Sequence, residues 1–251
     1  DAGETITCTF SNQADAFIIV DKVTDPSGDL TLFDFTTSYG SPFSLADLDT
    51  PNNSGDLAPA STYDVTEAAE AGWDPTGISC VSSLGDPTDT DGQDLDLDAG
   101  ETITCTFSNQ ADAFIIVDKV TDPSGDLTVF DFDTNYDSGD IDLADATTPN
   151  TSSDLVPGLY SVAENVPAGW DLTSAICDDG SPVGAISLQA GETVTCTFND
   201  QKDAFIIVDK VTDPAGDPTL FDFTTSYGSP FSLADATTPN NSGDLVPGTY
   251  S

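Results

Sequence analysis

Arginine, histidine and methionine are absent from this chain of 251 residues, and lysine occurs four times. Without histidine the usual proton shuttle and metal ligand are missing, and no glycine-rich phosphate loop is present. Enzyme chemistry on a separate substrate is therefore not expected. The scarcity of cations excludes unaided nucleic-acid binding, because 45 acids against four lysines give a formal charge of -41. A polyanion of that density repels phosphate and, unless cations screen it, repels itself. No run of about twenty apolar residues occurs, so direct membrane insertion is not expected either. Glutamate is also scarce: six of the acids are Glu and 39 are Asp. Aspartate is the residue of turns and of short-armed calcium ligation, which makes calcium the expected cofactor, with a salt-adapted surface as the other reading of the same acids.

What the chain does contain is repetition. The stretch "CTFSNQADAFIIVDKVTDPSGD" at Cys8–Asp29 recurs at Cys105–Asp126 and, with small changes, at Cys196–Asp217. "DAFIIVDK" begins at Asp15, Asp112 and Asp203, offsets of 97 and 91 residues, so the period is one small domain. The expected organisation is a closing or donor strand at 1–13, β-sandwich repeats at 14–110 and 111–201, and the first part of another at 202–251. The lack of methionine agrees with a slice from the interior of a longer protein.

Inside each repeat, short apolar alternations are broken by Gly, Pro, Asn and Asp, with no helical periodicity. About seven strands in two packed sheets are expected. Period-two alternation sets the faces. Ile18, Val20 and Lys22 share one face of the first strand; Tyr63, Val65 and Glu67 share another; Ile103, Cys105, Phe107 and Asn109 share the face of the closing strand. The next repeat gives Lys119, Glu164 and Asp200 in the same frames, although Asn199 competes with Asp200 because the strand ends "FND" where its counterpart ends "FSN". Cys80 with Cys105 and Cys177 with Cys196 occur once per repeat and read as disulfides of an oxidising, extracellular or cell-surface compartment; Cys8 would pair upstream.

An inward lysine beside an inward Glu and an Asn or Asp is costly as a plain polar cluster. Desolvation turns the cost into chemistry, because it favours a neutral, nucleophilic amine and a protonated Glu able to polarise a carbonyl. Attack on Asn releases ammonia and attack on Asp releases water, leaving an isopeptide. "LVPGTYS", "LVPGLYSVAENVPAGW" and "LAPASTYDVTEAAEAGW", with a first-strand Lys and a closing "TFSN", resemble the prealbumin-like (transthyretin-like) repeats of bacterial surface proteins, the collagen-adhesin B-type and SpaA-type pilin modules. The resemblance implies tandem Greek-key β-sandwiches, and the joint of about three residues between "CTFSN" and "AFIIV" favours an extended rod. It also implies bonds from Lys22 to Asn109 promoted by Glu67, and from Lys119 to Asp200 promoted by Glu164. The other reading of the same lysines is a non-covalent ion pair, since 45 acids surround them.

The acidic turns "DPSGD", "DPAGD" and "DTDGQDLDLD" supply calcium candidates: Asp25, Asp29, Asp89, Asp91, Asp94, Asp122, Asp126, Asp213 and Asp217. Solvated Asp-rich turns read equally well. Asn52, Asn150 and Asn240 each open an Asn-x-Ser sequon at one repeat position, as glycan acceptors or plain turn residues. The expected function is structural, an extracellular filament, pilus-like fibre or stalk whose partners are copies of itself, by donor-strand exchange among other routes. The alternative is an adhesin that binds a glycan or protein through aromatics such as Tyr39, Phe43 and Trp73.

Overall fold

The computed structural model describes residues 1–59, 61–85, 90–139 and 141–251. Every regular element among them is a strand, and no helix is long and apolar enough to cross a membrane. The chain divides into two compact units, residues 1–113 with 190–192 and residues 114–189 with 193–251.

In the first unit the strands are β1 (Phe17–Asp25), β2 (Phe33–Thr37), β3 (Phe43–Leu45), β4 (Asn52–Asn53), β5 (Ser61–Tyr63), β6 (Val65–Glu67), β7 (Trp73–Ser82), β8 (Leu95–Leu97) and β9 (Thr102–Ala111). Four form a sheet in the order β4-β1-β9-β7, β2 lies between β3 and β6 in a second, and β5 pairs with β8. The first and last strands are parallel neighbours, with Lys22 opposite Phe107 and Thr24 opposite Asn109. A parallel pair needs a long crossover, and here the whole of the repeat between them serves as one. The expected "YDVTE" strand is divided at Asp64: Tyr63 pairs with Leu95 of β8, whereas Val65 pairs with Thr37 of β2. Splitting one stretch between two sheets turns the chain across the core.

The second unit repeats the plan with β10 (Phe114–Asp122), β11 (Phe130–Thr134), β12 (Ile141–Leu143), β13 (Asn150–Thr151), β14 (Gly158–Tyr160), β15 (Val162–Asn165), β16 (Trp170–Cys177), β17 (Ile186–Leu188) and β18 (Thr193–Lys202). Its sheets are β13-β10-β18-β16, β12-β11-β15 and β14-β17. The remaining segment contributes β19 (Ile207–Val208), β20 (Phe221–Phe223), β21 (Phe231–Leu233) and β22 (Asn240–Asn241), paired β19-β22 and β20-β21.

Alternation explains the core. Along β1 every second residue from Ile18 to Thr24 is buried, and along β9 the same holds from Ile103 to Asn109. Ile18, Val20, Phe33, Phe35, Val65, Leu95, Ile103 and Phe107 are each no more than 1% exposed. Phe107 meets Phe35 edge-on at 5.1 Å, and Trp73 meets Phe33 edge-on at 5.4 Å. Edge-to-face contact at this spacing is the favoured aromatic geometry. Three carboxylates that the sequence reading overlooked hold the acidic turns: Asp47, Asp145 and Asp235 accept from the backbone N–H of Gly28, Gly125 and Gly216. The repeated "LAD" was their signal.

Candidate functional site

Because Lys22 occupies an inward frame of β1, its aliphatic stem runs through the apolar core and its ammonium has nowhere to reach water. Its side chain is 0% exposed. Nζ donates to the carbonyls of Val23 at 3.0 Å and Phe107 at 3.3 Å, and lies 4.1 Å from the ring centre of Phe33. Glu67 Oε1 stands 3.6 Å away on β6, just beyond hydrogen-bond range. Asn109, two residues past the register partner Phe107, is 4% exposed, and its Oδ1 has no hydrogen-bond partner among the described residues. Burial holds the Lys22 amine below its ordinary value against the opposing pull of Glu67 and, more weakly, Asp47. Burial likewise pushes Glu67 up, against Lys22 and a hydrogen bond from Asn109. Both shifts favour the neutral forms.

The second repeat brings together the same side chains more tightly. Lys119 Nζ lies 2.7 Å from Asp200 Oδ1 and 3.2 Å from Glu164 Oε1, and all three side chains are 0% exposed. The carbonyls of Phe198 and Val120 accept from Nζ at 3.2 and 3.3 Å, and the Phe130 ring centre is 4.2 Å away. Burial pushes Glu164 up to about 7 despite Lys119, with Asp200 adding to the rise. Asn199, the competing amide, turns away and donates from Nδ2 to Ser174 Oγ at 3.0 Å. In the last segment Lys210 donates to Val211 O at 2.7 Å and sits 4.3 Å from the Phe221 ring centre. No counterpart of Glu67 or Asn109 follows it in this chain.

Two supporting features escaped the sequence reading. A phenylalanine from the "FDF" strand underlies each of Lys22, Lys119 and Lys210, and a bulge interrupts β7 between Pro75 and Gly77 and β16 between Leu172 and Ser174. The extra residues, Thr76 and Thr173, donate to the carbonyls of Ser108 and Asn199, beside the amide or carboxylate that faces the lysine. Bulges of this kind re-aim side chains next to functional sites.

The other candidates are placed as follows. Cys80 is bonded to Cys105 and Cys177 to Cys196, each joining register partners on adjacent strands, while Cys8 is free and exposed. Asp29, Asp126 and Asp217 accept from the N–H of Thr31, Thr128 and Thr219 two residues on, and Asp126 also pairs with Lys202 at 2.7 Å. Asp25 and Asp122 accept from Gln110 and Gln201, and Asp91 accepts from Gln93 N. Asp94 adopts a left-handed conformation with φ 51°, Asp213 lies in the "DPAGD" turn, and Asp89 lies outside the described residues. No group of three metal-ligating side chains assembles among the described residues. Asn52, Asn150 and Asn240 are half-buried, and the sequon serines Ser54, Ser152 and Ser242 accept from Ile18, Ile115 and Ile206 N–H. Those hydroxyls cap the first strand of each repeat. Tyr39, Phe43 and Trp73 pack on Tyr63, Phe35 and Phe33.

No curated protein is similar in sequence to this chain. Among solved structures, the Bacillus anthracis TIE protein is 16% identical with a TM-score of 0.36, over 94% of this chain and 44% of that one. The present chain thus spans less than half of that protein's length. A C-terminal fragment of the pilus adhesin SpaC from Lactobacillus rhamnosus GG is 15% identical with a TM-score of 0.31, over 78% of this chain and 100% of the fragment. The major pilin of Streptococcus pyogenes is 12% identical with a TM-score of 0.25, over 76% and 99%. The sequence pattern of the prealbumin-like fold domain matches residues 18–111 and again 115–202. The chain therefore belongs to the prealbumin-like fold domain family, with two tandem copies.

Proposed function

We propose that this chain is part of an extracellular structural protein, a filament, pilus-like fibre or cell-surface stalk, whose repeats are closed by isopeptide bonds from Lys22 to Asn109 and from Lys119 to Asp200. The observation that carries the reading is a fully desolvated lysine in each complete repeat, aimed from the first strand at the last beside a buried Glu. An ordinary ion pair there gains little over apolar packing, whereas amide formation removes the buried charges. The mechanical consequence follows from topology. Tension enters at the start of β1 and leaves at the end of β9, so a bond between those strands routes it past residues 23–108.

Glu67 and Glu164 act as proton relays in this reading. The disulfides tie the outer strands to the closing strands, and calcium held by the acidic turns screens the charge of -41. Packing of Tyr39, Phe43 and Trp73 into the fold favours the structural role over ligand binding. Association of copies by strand donation belongs to the same proposal. Residues 5–14 repeat β9 letter for letter, and β9 lies parallel beside the lysine strand of its own repeat, so the same letters can lie beside the Lys210 strand of another copy. Removing residues 1–13 is expected to abolish self-association in sedimentation, and unchanged association would remove donation from the proposal.

The deciding experiment is the intact mass of the native protein with peptide mapping. A deficit of one ammonia in the first repeat and one water in the second, beyond the hydrogens lost to disulfides, is expected; a full mass in both overturns the cross-links. For the cations, excess chelator is expected to loosen assemblies, and assemblies thermally unchanged by it would exclude calcium from their stability.

A further inference from the structure

We infer that the two cross-links obey different proton counts, so that closure of the Lys119–Asp200 repeat is switched off by rising pH in a range where the Lys22–Asn109 repeat still closes. The inference rests on the isopeptide reading and adds its regulation. The two sites share lysine, glutamate and underlying phenylalanine. Their difference is the acceptor, an amide at Asn109 and a carboxyl at Asp200.

In the first repeat the reactive state has a neutral amine and a protonated Glu67. One proton, shared by Lys22 and Glu67, is enough. The resting pair of ammonium and carboxylate holds that same single proton and reaches the reactive state by internal transfer. Nζ then bonds to Asn109 Cγ and the Cγ–Nδ2 bond breaks. Of the two protons lost by Nζ, one completes ammonia and the other remains on Glu67. No proton is drawn from solvent, so the rate does not change with pH wherever Lys22 and Glu67 together hold that single proton.

In the second repeat a carboxylate is no electrophile, and hydroxide is a poor leaving group. Asp200 must carry a proton so that water departs, and Glu164 must carry another to polarise the carbonyl. The reactive state therefore holds two protons on three groups. The resting contact of Lys119 with Asp200 at 2.7 Å holds one, and the second is present only while Glu164 is protonated. Nζ bonds to Asp200 Cγ, the Cγ–O bond breaks, both protons shed by Nζ leave with the oxygen as water, and the Glu164 proton is returned. Burial places the titration of Glu164 at about 7. Above it each pH unit removes about tenfold of the competent population.

The charged groups facing this cluster are few. Lys119 comes from β10 and Asp200 from β18, and Asp145 reaches Lys119 electrostatically from the loop after β12. On β11 the inward residue opposite Glu164 is Phe132, while Asp131 and Asp133 bind Asn165 on the outer face. The first repeat has Lys22 and Asn109 about Glu67, with Asp47 in the position of Asp145. The acceptor is thus the difference that sets the proton count.

The test uses the full chain assembled by solid-phase synthesis and ligation in guanidinium, so that it has never folded. It is transferred to oxidising buffers from about pH 6 to about pH 9, and the two cross-linked peptide pairs are quantified over time. The Lys22–Asn109 pair is expected to form at a constant rate, and the Lys119–Asp200 pair to slow about tenfold per unit above pH 7. Asp200→Asn should give the second repeat a flat profile, and Asn109→Asp should give the first a falling one, with the unaltered repeat in each variant reporting correct folding. Equal profiles, or profiles that do not follow the swap, overturn the proton count alone. Absence of both bonds at every pH overturns the cross-link reading and this inference with it.

Discussion

At the scale of single residues, the first repeat turns on a lysine that a chain with four of them places out of reach of water. Alternation alone showed that Lys22, Glu67 and Asn109 face inward, because a strand sends every second side chain to one face. It did not show that Phe33 underlies the amine, since that depends on which strand lies opposite. Before any bond forms, Glu67 is the carboxylate that balances the buried ammonium. Glu67→Gln is therefore expected to destabilise the first repeat by about 3–5 kcal/mol. Adding Lys22→Met should recover most of that loss, as a neutral, apolar side chain needs no counter-ion. Denaturant unfolding with exchange protection of β1 and β9 measures both, and an undiminished Glu67→Gln protein would mean that Lys22 is balanced by another group.

Among elements, the long outer strand β7 is the weak member of its sheet. It has β9 on one side only, and most of its residues are exposed. The Cys80–Cys105 bond pins it at a register pair and closes a loop with a separation of 25 residues. Replacing both cysteines by alanine should cost about 3 kcal/mol, with faster amide exchange concentrated in β7. Exchange that rises equally in β1 and β2 would show that the bond supports the whole repeat rather than its edge. A second element-level constraint is the turn before β8. Gly92 has φ +78°, and a Cβ there would stand 3.0 Å from Val65 O and 3.3 Å from the Phe107 ring. Gly92→Ala should cost about 1–3 kcal/mol by combined strain and crowding. Gly85→Ala, with φ +85° but no atom of the described residues within 4 Å of the added Cβ, should cost less, and equal losses would mean that crowding adds nothing.

For the whole molecule the governing quantity is a charge of -41. Raising sodium chloride from about 0.01 M to about 0.5 M is expected to raise the thermal midpoint, because like charges on the folded surface are screened. A midpoint that falls with salt would show that specific ion pairs outweigh repulsion. Composition, the repeat period and the alternation of apolar residues determined the strand-rich class, the domain-sized period, the pairing of cysteines and the inward frame of each lysine, because all of these follow from local periodicity. Tertiary structure decided what local pattern cannot express. The stretch from Tyr63 to Glu67 alternates as one strand, yet Tyr63 pairs with Leu95 of β8 and Val65 with Thr37 of β2. A strand exists where neighbours supply its hydrogen bonds and cover its apolar face, and here two different sheets supply them on the two sides of Asp64.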